Sequence, residues 1–285
     1  MKEYWNQLAS GTKKAASHIA LANSGQKNRF LEHLYEMILN HKADIIAENE
    51  KDLENAASQN FDEAFLDRLR LNDARITDMA NGVKEMILLP DPVGEMSDIK
   101  IRPSGIKVGK MRVPLGVIAI IYESRPNVTI DAAALCVKSG NGAILRGGSE
   151  AFHTNQYLGS LLKEALTAAE LPEEAVGVIN TTDRSMVDYM IGSPEYIDVV
   201  IPRGGKSLVE RINNNATVPV IKHLDGICHT YIDDAADMEK AVAVADNAKT
   251  QRYAPCNALE TLLVHESIAP AFLSKIGAIY AEKGV

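Results

Sequence analysis

The sequence predicts an α/β protein built on a doubly wound parallel sheet, and three observations carry that expectation. Short runs rich in Val and Ile recur at 116–122, 142–147, 175–180, 196–202 and 218–223, each of strand rather than helix length. Helical stretches separate them at 130–138, 151–169, 184–191 and 206–213. The runs are largely apolar on both faces, as in strands covered on both sides. Strands joined in this way close through right-handed crossovers, and ligands then gather beyond the carboxyl ends of the strands.

Before the sheet, the first ninety residues read as helices. Apolar side chains recur at helical spacing through Phe30, Leu31, Leu34, Met37 and Ile38, then Ile45, Ile46 and Leu53, then Ile76, Met79, Val83 and Ile87. Leu89-Pro90-Asp91-Pro92-Val93-Gly94 ends that pattern, because two prolines and a glycine stop any helix. Residues 99–114 then alternate apolar and basic side chains at a period of two, with Pro103-Ser104-Gly105 as a turn. That pattern predicts an edge hairpin, either solvated and blunted by its charge or paired with a neighbouring subunit. After the sheet, Met238, Ala241, Val242 and Ala245 predict a helix, 260–265 a strand, and a second helix begins near Pro270. One strand between two helices makes no independent domain, so this last segment reads as incomplete.

Composition narrows the function. With 285 residues, 46% hydrophobic and 24% charged, the chain falls in the ordinary globular range. Lys and Arg number 30 and Asp and Glu 38, so the net charge of −8 argues against nucleic acid as the main partner. The apolar run at 115–122 falls far short of the ~20 residues of a membrane span. The polar start MKEYWNQLASGTKK lacks the apolar stretch of a secretory leader, and three scattered cysteines make no disulfide framework. The expectation is a soluble, cytoplasmic protein without nucleic-acid or membrane partners.

Two strand ends carry glycine pairs: Arg146-Gly147-Gly148-Ser149-Glu150 and Arg203-Gly204-Gly205-Lys206-Ser207. Such glycines either make a tight turn or let backbone N–H groups approach a phosphate at the next helix. Neither pair matches GxGxxG or a P-loop. Of the cysteines, Cys136 in DAAALCVK and Cys228 in GICHTYI read as small buried hydrophobes. Cys256 lies in a loop behind Arg252 and Pro255 and ahead of Asn257, where a nearby cation and backbone dipoles favour a nucleophilic thiolate. His223, Cys228 and His229 lack the spacing of a metal site, and no metal is expected.

Three long motifs then resemble one family. NAKTQRYAPCNALETLLVH at 247–265, PLGVIAIIYESRPNVTIDAAALCVKSGNGAILRGGSEA at 114–151 and VIPRGGKSLVERI at 200–212 closely resemble the γ-glutamyl phosphate reductases, the proline-pathway branch of the aldehyde dehydrogenase superfamily. The resemblance runs through the whole chain. It implies an aldehyde dehydrogenase-like fold: a Rossmann-type cofactor domain at 1–98 and 115–233, an oligomerisation hairpin at 99–114, and the incomplete start of an α/β catalytic domain at 234–285. It also implies NADP(H)-linked reduction of L-glutamyl 5-phosphate to glutamate 5-semialdehyde, a homo-oligomer, and coupling to the glutamate 5-kinase that makes the acyl phosphate.

Residue by residue, the resemblance makes Cys256 the nucleophile. Arg146, with Gly147, Gly148, Ser149 and Glu150, matches the stretch that reaches the adenosine ribose. Arg203, Gly204, Gly205, Lys206 and Ser207 match the pyrophosphate turn. A guanidinium at Arg146 suits a 2′-phosphate, which favours NADPH. The oxyanion donor falls in Glu123-Ser124-Arg125-Pro126-Asn127: ungapped alignment from the strand points to Arg125, chemistry to Asn127. Arg252, Arg125 and Asn257 are the expected substrate contacts. Hydrolytic relatives carry Glu-Leu-Gly-Gly, where this chain has His223-Leu224-Asp225-Gly226, with no carboxylate to activate water against a thioester; His223 either serves as a base or caps the strand end. The alternatives are a CoA-acylating aldehyde dehydrogenase, or an inactive fragment or interaction subunit of the same fold.

Overall fold

The computed structural model of the chain describes residues 1–59, 61, 63–222, 226–253 and 256–285. They form two compact units, Met1–His223 and Leu224–Val285.

The first unit opens with helices α1 (Lys2–Ile19), α2 (Ser24–Asn40), α3 (Lys42–Ser58), α4 (Glu63–Leu69) and α5 (Asp73–Leu88). Their starts are chemically marked. The Asn23 side chain accepts the Gln26 N–H at 3.0 Å, while the Gln26 side-chain oxygen accepts the Asn23 N–H at 3.2 Å, making a capping box for α2. Asn72 caps α5 in the same way through the Arg75 N–H at 2.9 Å.

Strands β1 (Met96–Ile101) and β2 (Lys107–Met111) follow as an antiparallel hairpin whose register slips between Ser97 and Lys100. Its pairing thus begins three residues ahead of position 99. Both strands are exposed along their whole length, Met96, Ile99, Ile101, Val108 and Met111 included. Asp98 at the slip adopts the left-handed region, φ +53°, and pairs with Lys110 at 2.9 Å.

The sheet comprises β3 (Val117–Tyr122), β4 (Gly142–Arg146), β5 (Val176–Val178) and β6 (Val199–Arg203), all parallel in the order β5-β4-β3-β6. They are joined by α6 (Asn127–Lys138), α7 (Phe152–Ala168) and α8 (Ser185–Ile191), and α9 (Lys206–Asn215) follows β6. All six residues of β3 are buried, yet the period of two survives. Val117, Ala119 and Ile121 enter a core with residues of α1, α8 and α9; Ile118, Ile120 and Tyr122 enter another with α2, α5, α6 and α7. Burying each Val or Ile side chain contributes ~1.5–3 kcal/mol.

Two acids, half-buried Asp198 and buried Asp52, set the position of these layers. The Asp198 carboxylate accepts the Val117 N–H at 2.7 Å and Lys13 Nζ at 2.6 Å. Gly116 sits beside it at φ +122°, where a Cβ would fall on that carboxylate. Asp52 of α3 accepts the N–H groups of His153 and Thr154 at 3.0 and 2.8 Å, capping α7, whose own N-cap residue supplies no side-chain bond. Burial raises the Asp52 pKa against these hydrogen bonds.

One predicted strand is corrected. Among its described residues the run 218–223 makes a single bridge, Val200 with Val220, flanked by backbone bonds to Pro219 and Ile221. Pro219 has no N–H to extend a ladder. In the second unit the strand expected at 260–265 is present and pairs with one formed by the segment around Cys228. The unit contains β7 (Cys228–Ile232) and β8 (Leu259–Val264), paired in parallel, with α10 (Met238–Thr250) and α11 (Ala269–Glu282). Ile232, Ala241, Ala245, Phe272 and Ile276 form its own small core. Cys228, read as buried, is half-buried at the β7 edge.

At the hairpin root, Asp91 accepts both Lys27 Nζ at 2.9 Å and the Val93 N–H at 3.0 Å, and Lys27 is fully buried. Burial pushes the Asp91 pKa up, but bonds from Lys27, Val93 and Ser24 and the Lys27 charge outweigh it and hold the carboxyl below its ordinary value. Its stabilisation is therefore complete above the unfolded value of ~3.9 and is lost as pH falls through the lower folded value. Asp91→Asn should cost about 2–4 kcal/mol at pH 7, chiefly by stranding Lys27. Urea unfolding should show that gap narrowing below about pH 4.

Candidate active site

The order β5-β4-β3-β6 places a topological switch between β3 and β6. The chain runs outward from β3 through β4 to β5, then returns to the far side of β3. Helix α6 leaves β3 toward one core and α9 leaves β6 toward the other, so a crevice opens between their loops. Glu123, directly after β3, bridges it. Its N–H donates to the Arg203 carbonyl at 3.3 Å, and its carboxylate accepts the Gly205 N–H at 2.9 Å. A Cβ on Gly204 would lie 2.6 Å from that carboxylate and 2.8 Å from Leu208, so a larger residue would push the Glu123 and Leu208 side-chain ends aside. Gly205 is the N-cap of α9 and supplies no side-chain cap, and Lys206 and Ser207 lie exposed in the first turn of a helix, a setting that favours an anion.

On the adjoining strand, Arg146 closes β4 half-buried, and its Nε is buried without a hydrogen-bond partner. Burial lowers its pKa, with the charges of Glu150 and Glu123 opposing and those of Arg184 and Arg211 adding. Gly147, Gly148 and exposed Ser149 lead into α7. Glu150 reaches back: its carboxylate accepts the Ser124 N–H at 2.6 Å. Ser124 is buried and left-handed at φ +51°, a conformation unusual for a side chain-bearing residue and held here by that bond. Arg125 beside it is exposed. Asn127 opens α6 and donates to Asp131 at 2.9 Å, and burial raises the Asp131 pKa first, with this bond opposing.

An unsatisfied buried guanidinium N–H, a glycine turn at the strand switch and an uncapped helix start together suit the ribose and phosphates of a dinucleotide. Arg146, Gly204, Gly205, Lys206 and Ser207 are the residues that would hold one.

In the second unit, Cys256 lies exposed in the turn between α10 and β8. Its carbonyl accepts the Cys228 thiol at 3.4 Å, and a Cβ on Gly226 would come within 3.0 Å of the same oxygen. A cleft of about 390 Å³ beside the turn is lined by Asn247, Ala248, Gln251, Arg252, Asn257 and Ala258. The structure thus brings Arg252 and Asn257 together. Asn247 and Gln251, which the sequence analysis passed over, add two amides; their spacing of four on α10 was the available signal. Cys136, by contrast with exposed Cys256, is buried, and burial pushes its thiol up to about 12. Pro255 and His223-Leu224-Asp225 lie outside the described residues. Among the described residues, no group of three His, Cys, Asp or Glu gathers to hold a metal, and no helix is long and apolar enough to cross a membrane.

The chain matches the aldehyde dehydrogenase family over residues 3–283. Its structure superposes on a γ-glutamyl phosphate reductase from Thermotoga maritima with a TM-score of 0.92 at 43% identity, covering 99% of this chain and 68% of that one. The chain belongs to the γ-glutamyl phosphate reductase branch of the aldehyde dehydrogenase family. The enzyme of that name from Saccharomyces cerevisiae is similar at 30% identity and a TM-score of 0.72, over 99% of this chain and 70% of that one. An acetylating aldehyde dehydrogenase from Geobacillus thermoglucosidasius, at 19% identity and a TM-score of 0.67 over 97% of this chain and 58% of that one, shares the fold. The aldehyde dehydrogenase-like fold expected from the motifs is therefore the fold of this chain.

Exposure should order the reactivity of the three thiols. Brief alkylation followed by peptide mass mapping should modify Cys256 first and half-buried Cys228 more slowly. Cys136 should react only after denaturation.

Proposed function

We propose that this chain carries out the NADPH-dependent reduction of L-glutamyl 5-phosphate to L-glutamate 5-semialdehyde and phosphate, through a thioester on Cys256. The observation that carries this reading is the 43% identity to the Thermotoga maritima reductase across 99% of the chain. The exposed turn at Cys256 and its cleft support the covalent step. The likeness to the acetylating enzyme, at 19% identity, supports the fold alone and does not favour a CoA-acylating reaction.

The Cys256 thiolate attacks the γ-carbonyl carbon, and the tetrahedral adduct breaks its C–O bond to phosphate, which leaves as a stable anion without a strong acid to assist it. The Cys256 backbone N–H and a side-chain amide, for which Asn127 is proposed, stabilise the oxyanion; one such donor is worth ~10²–10³ in rate. Arg252 and Asn257 orient the phosphorylated side chain. NADPH, when bound, supplies the hydride that reduces the thioester carbonyl. The resulting thiohemiacetal expels the Cys256 thiolate and releases the aldehyde. Arg146 to Glu150 and Arg203 to Ser207 bind the dinucleotide in this scheme, with the exposed hairpin as a subunit contact in a homo-oligomer. A cytoplasmic setting and coupling to a kinase that forms the unstable acyl phosphate complete the proposal.

Cys256→Ala should lower semialdehyde formation by more than about 10⁴-fold, as loss of a covalent nucleophile does elsewhere, with NADPH affinity unchanged. The assay follows NADPH absorbance with glutamyl phosphate, or phosphate-dependent NADP reduction with the semialdehyde. A variant with near-normal turnover removes the thioester from the mechanism.

A further inference from the structure

We propose that a cavity at the outer edge of the sheet binds a small aliphatic α-amino acid in its zwitterionic form. Strand β5 ends the sheet, and β4 separates it from the crevice at β3 and β6. Against β5 lies a cavity of about 270 Å³, lined by residues of α1, α7 and the turn at Glu173–Ala175. It falls just below the ~300–1,000 Å³ of pockets that take larger organic ligands. A buried hydroxyl points into it. Thr12 of α1 is 1% exposed, and its Oγ1 is buried with no hydrogen-bond partner. A helical threonine can satisfy its hydroxyl on the carbonyl four residues back, and Thr12 does not. Its methyl faces β4, 3.3 Å from where a Cβ on Gly142 would stand. Its Oγ1 faces β5, 3.4 Å from where a Cβ on Gly177 would stand. Thr12 and Gly177 both line the cavity, so the unpaired hydroxyl is turned toward that space. Buried polar atoms are rarely left unpaired unless something outside the chain meets them.

The rest of the lining says what that ligand is. Lys163 of α7 and the carboxylates of Glu173 and Glu174 border the same cavity, and the stem of Glu174 lies over Gly11 of α1. Among the described residues, no ion pair involves any of the three. A ligand of one sign would meet a like charge in this lining, whereas a zwitterion finds an opposite charge for each end. The carboxylate of an amino acid goes to Lys163 and its ammonium to the glutamates. Two further donors serve that carboxylate besides Thr12. The Ile179 N–H donates to Leu145 of β4 at 2.9 Å, so by alternation Val178 turns its own N–H to the open side of the edge strand. Tyr4 accepts the Asn180 N–H at 3.0 Å, which leaves its hydroxyl proton to donate. Between the charges, Leu8, Val176 and Val178 offer an apolar wall for an aliphatic body.

The test is direct binding. Glycine, L-valine and L-leucine are titrated by calorimetry, together with isobutylamine and isovalerate, which are valine without its carboxylate and without its ammonium. The proteins are the unsubstituted chain, Thr12→Val and Lys163→Gln. L-Valine or L-leucine should bind saturably, with both single-charge analogues at least about 10-fold weaker than valine. Thr12→Val keeps the shape and removes the hydroxyl. It should weaken valine by about 3- to 10-fold, the worth of one hydrogen bond, with the Tm of the free chain unchanged because that hydroxyl has no partner to lose. Lys163 is exposed, so Lys163→Gln leaves the fold intact, and it should weaken valine and isovalerate by about 10-fold while sparing isobutylamine. The proposal is overturned if none of the three amino acids saturates by about 20 mM, or if isobutylamine or isovalerate binds as tightly as valine. Full affinity for valine in both variants overturns it as well, since the ligand then sits elsewhere.

Discussion

The two-sided burial of β3 is the constraint on which the first unit depends. A strand with all six side chains buried needs a complete layer against each face, and this one has two separate cores. Serving both cores makes it central, with β4 on one side and β6 on the other. The chain must then reverse direction across the sheet at β3. The crevice at its carboxyl end follows from that reversal, and the chemistry-bearing loops have no other edge to occupy.

Carboxylates from outside each loop then fix the loops in place. Glu123 ties β3 to the turn after β6, Glu150 ties the turn after β4 back to the loop after β3, and Asp52 reaches from the helical layer to start α7. Each takes up N–H groups that would otherwise need water or a ligand. Acidic side chains thus serve as structural acceptors at an edge that receives an anionic ligand in the proposed function. Positive charge at that edge remains on arginines and helix starts. Such division of labour lets a site be rigid before its ligand arrives.

Much of this was legible in the sequence, and the reasons can be stated residue by residue. The runs at 116–122 and 196–202 announced their strands because Val and Ile at that density fit little else, and 142–147 did so as a short apolar run bounded by glycines. Cys256 stood apart because polar and basic residues surround it, and it is the exposed cysteine. What escaped was long-range. Nothing local marks Asp52 as the cap of a helix a hundred positions onward, or Glu150 as the acceptor for a left-handed Ser124. The run at 218–223 misled because its apolar content is strand-like while Pro219 prevents the ladder. Cys228 misled because half of the second unit's short sheet is built from the segment around it, which places the residue at an edge rather than in a core.

The root of the hairpin carries a mechanical consequence. Asp91 fastens it to α2 through Lys27, and Pro114 at its far end packs on Gly140, in the turn ahead of β4. The arm is therefore anchored in the helical layer and at the amino-terminal margin of the sheet. A force applied to its tip is borne by those anchors, at the end of the strands opposite the crevice. Leverage exerted on the arm by a neighbouring molecule would leave the loops at the crevice undisturbed.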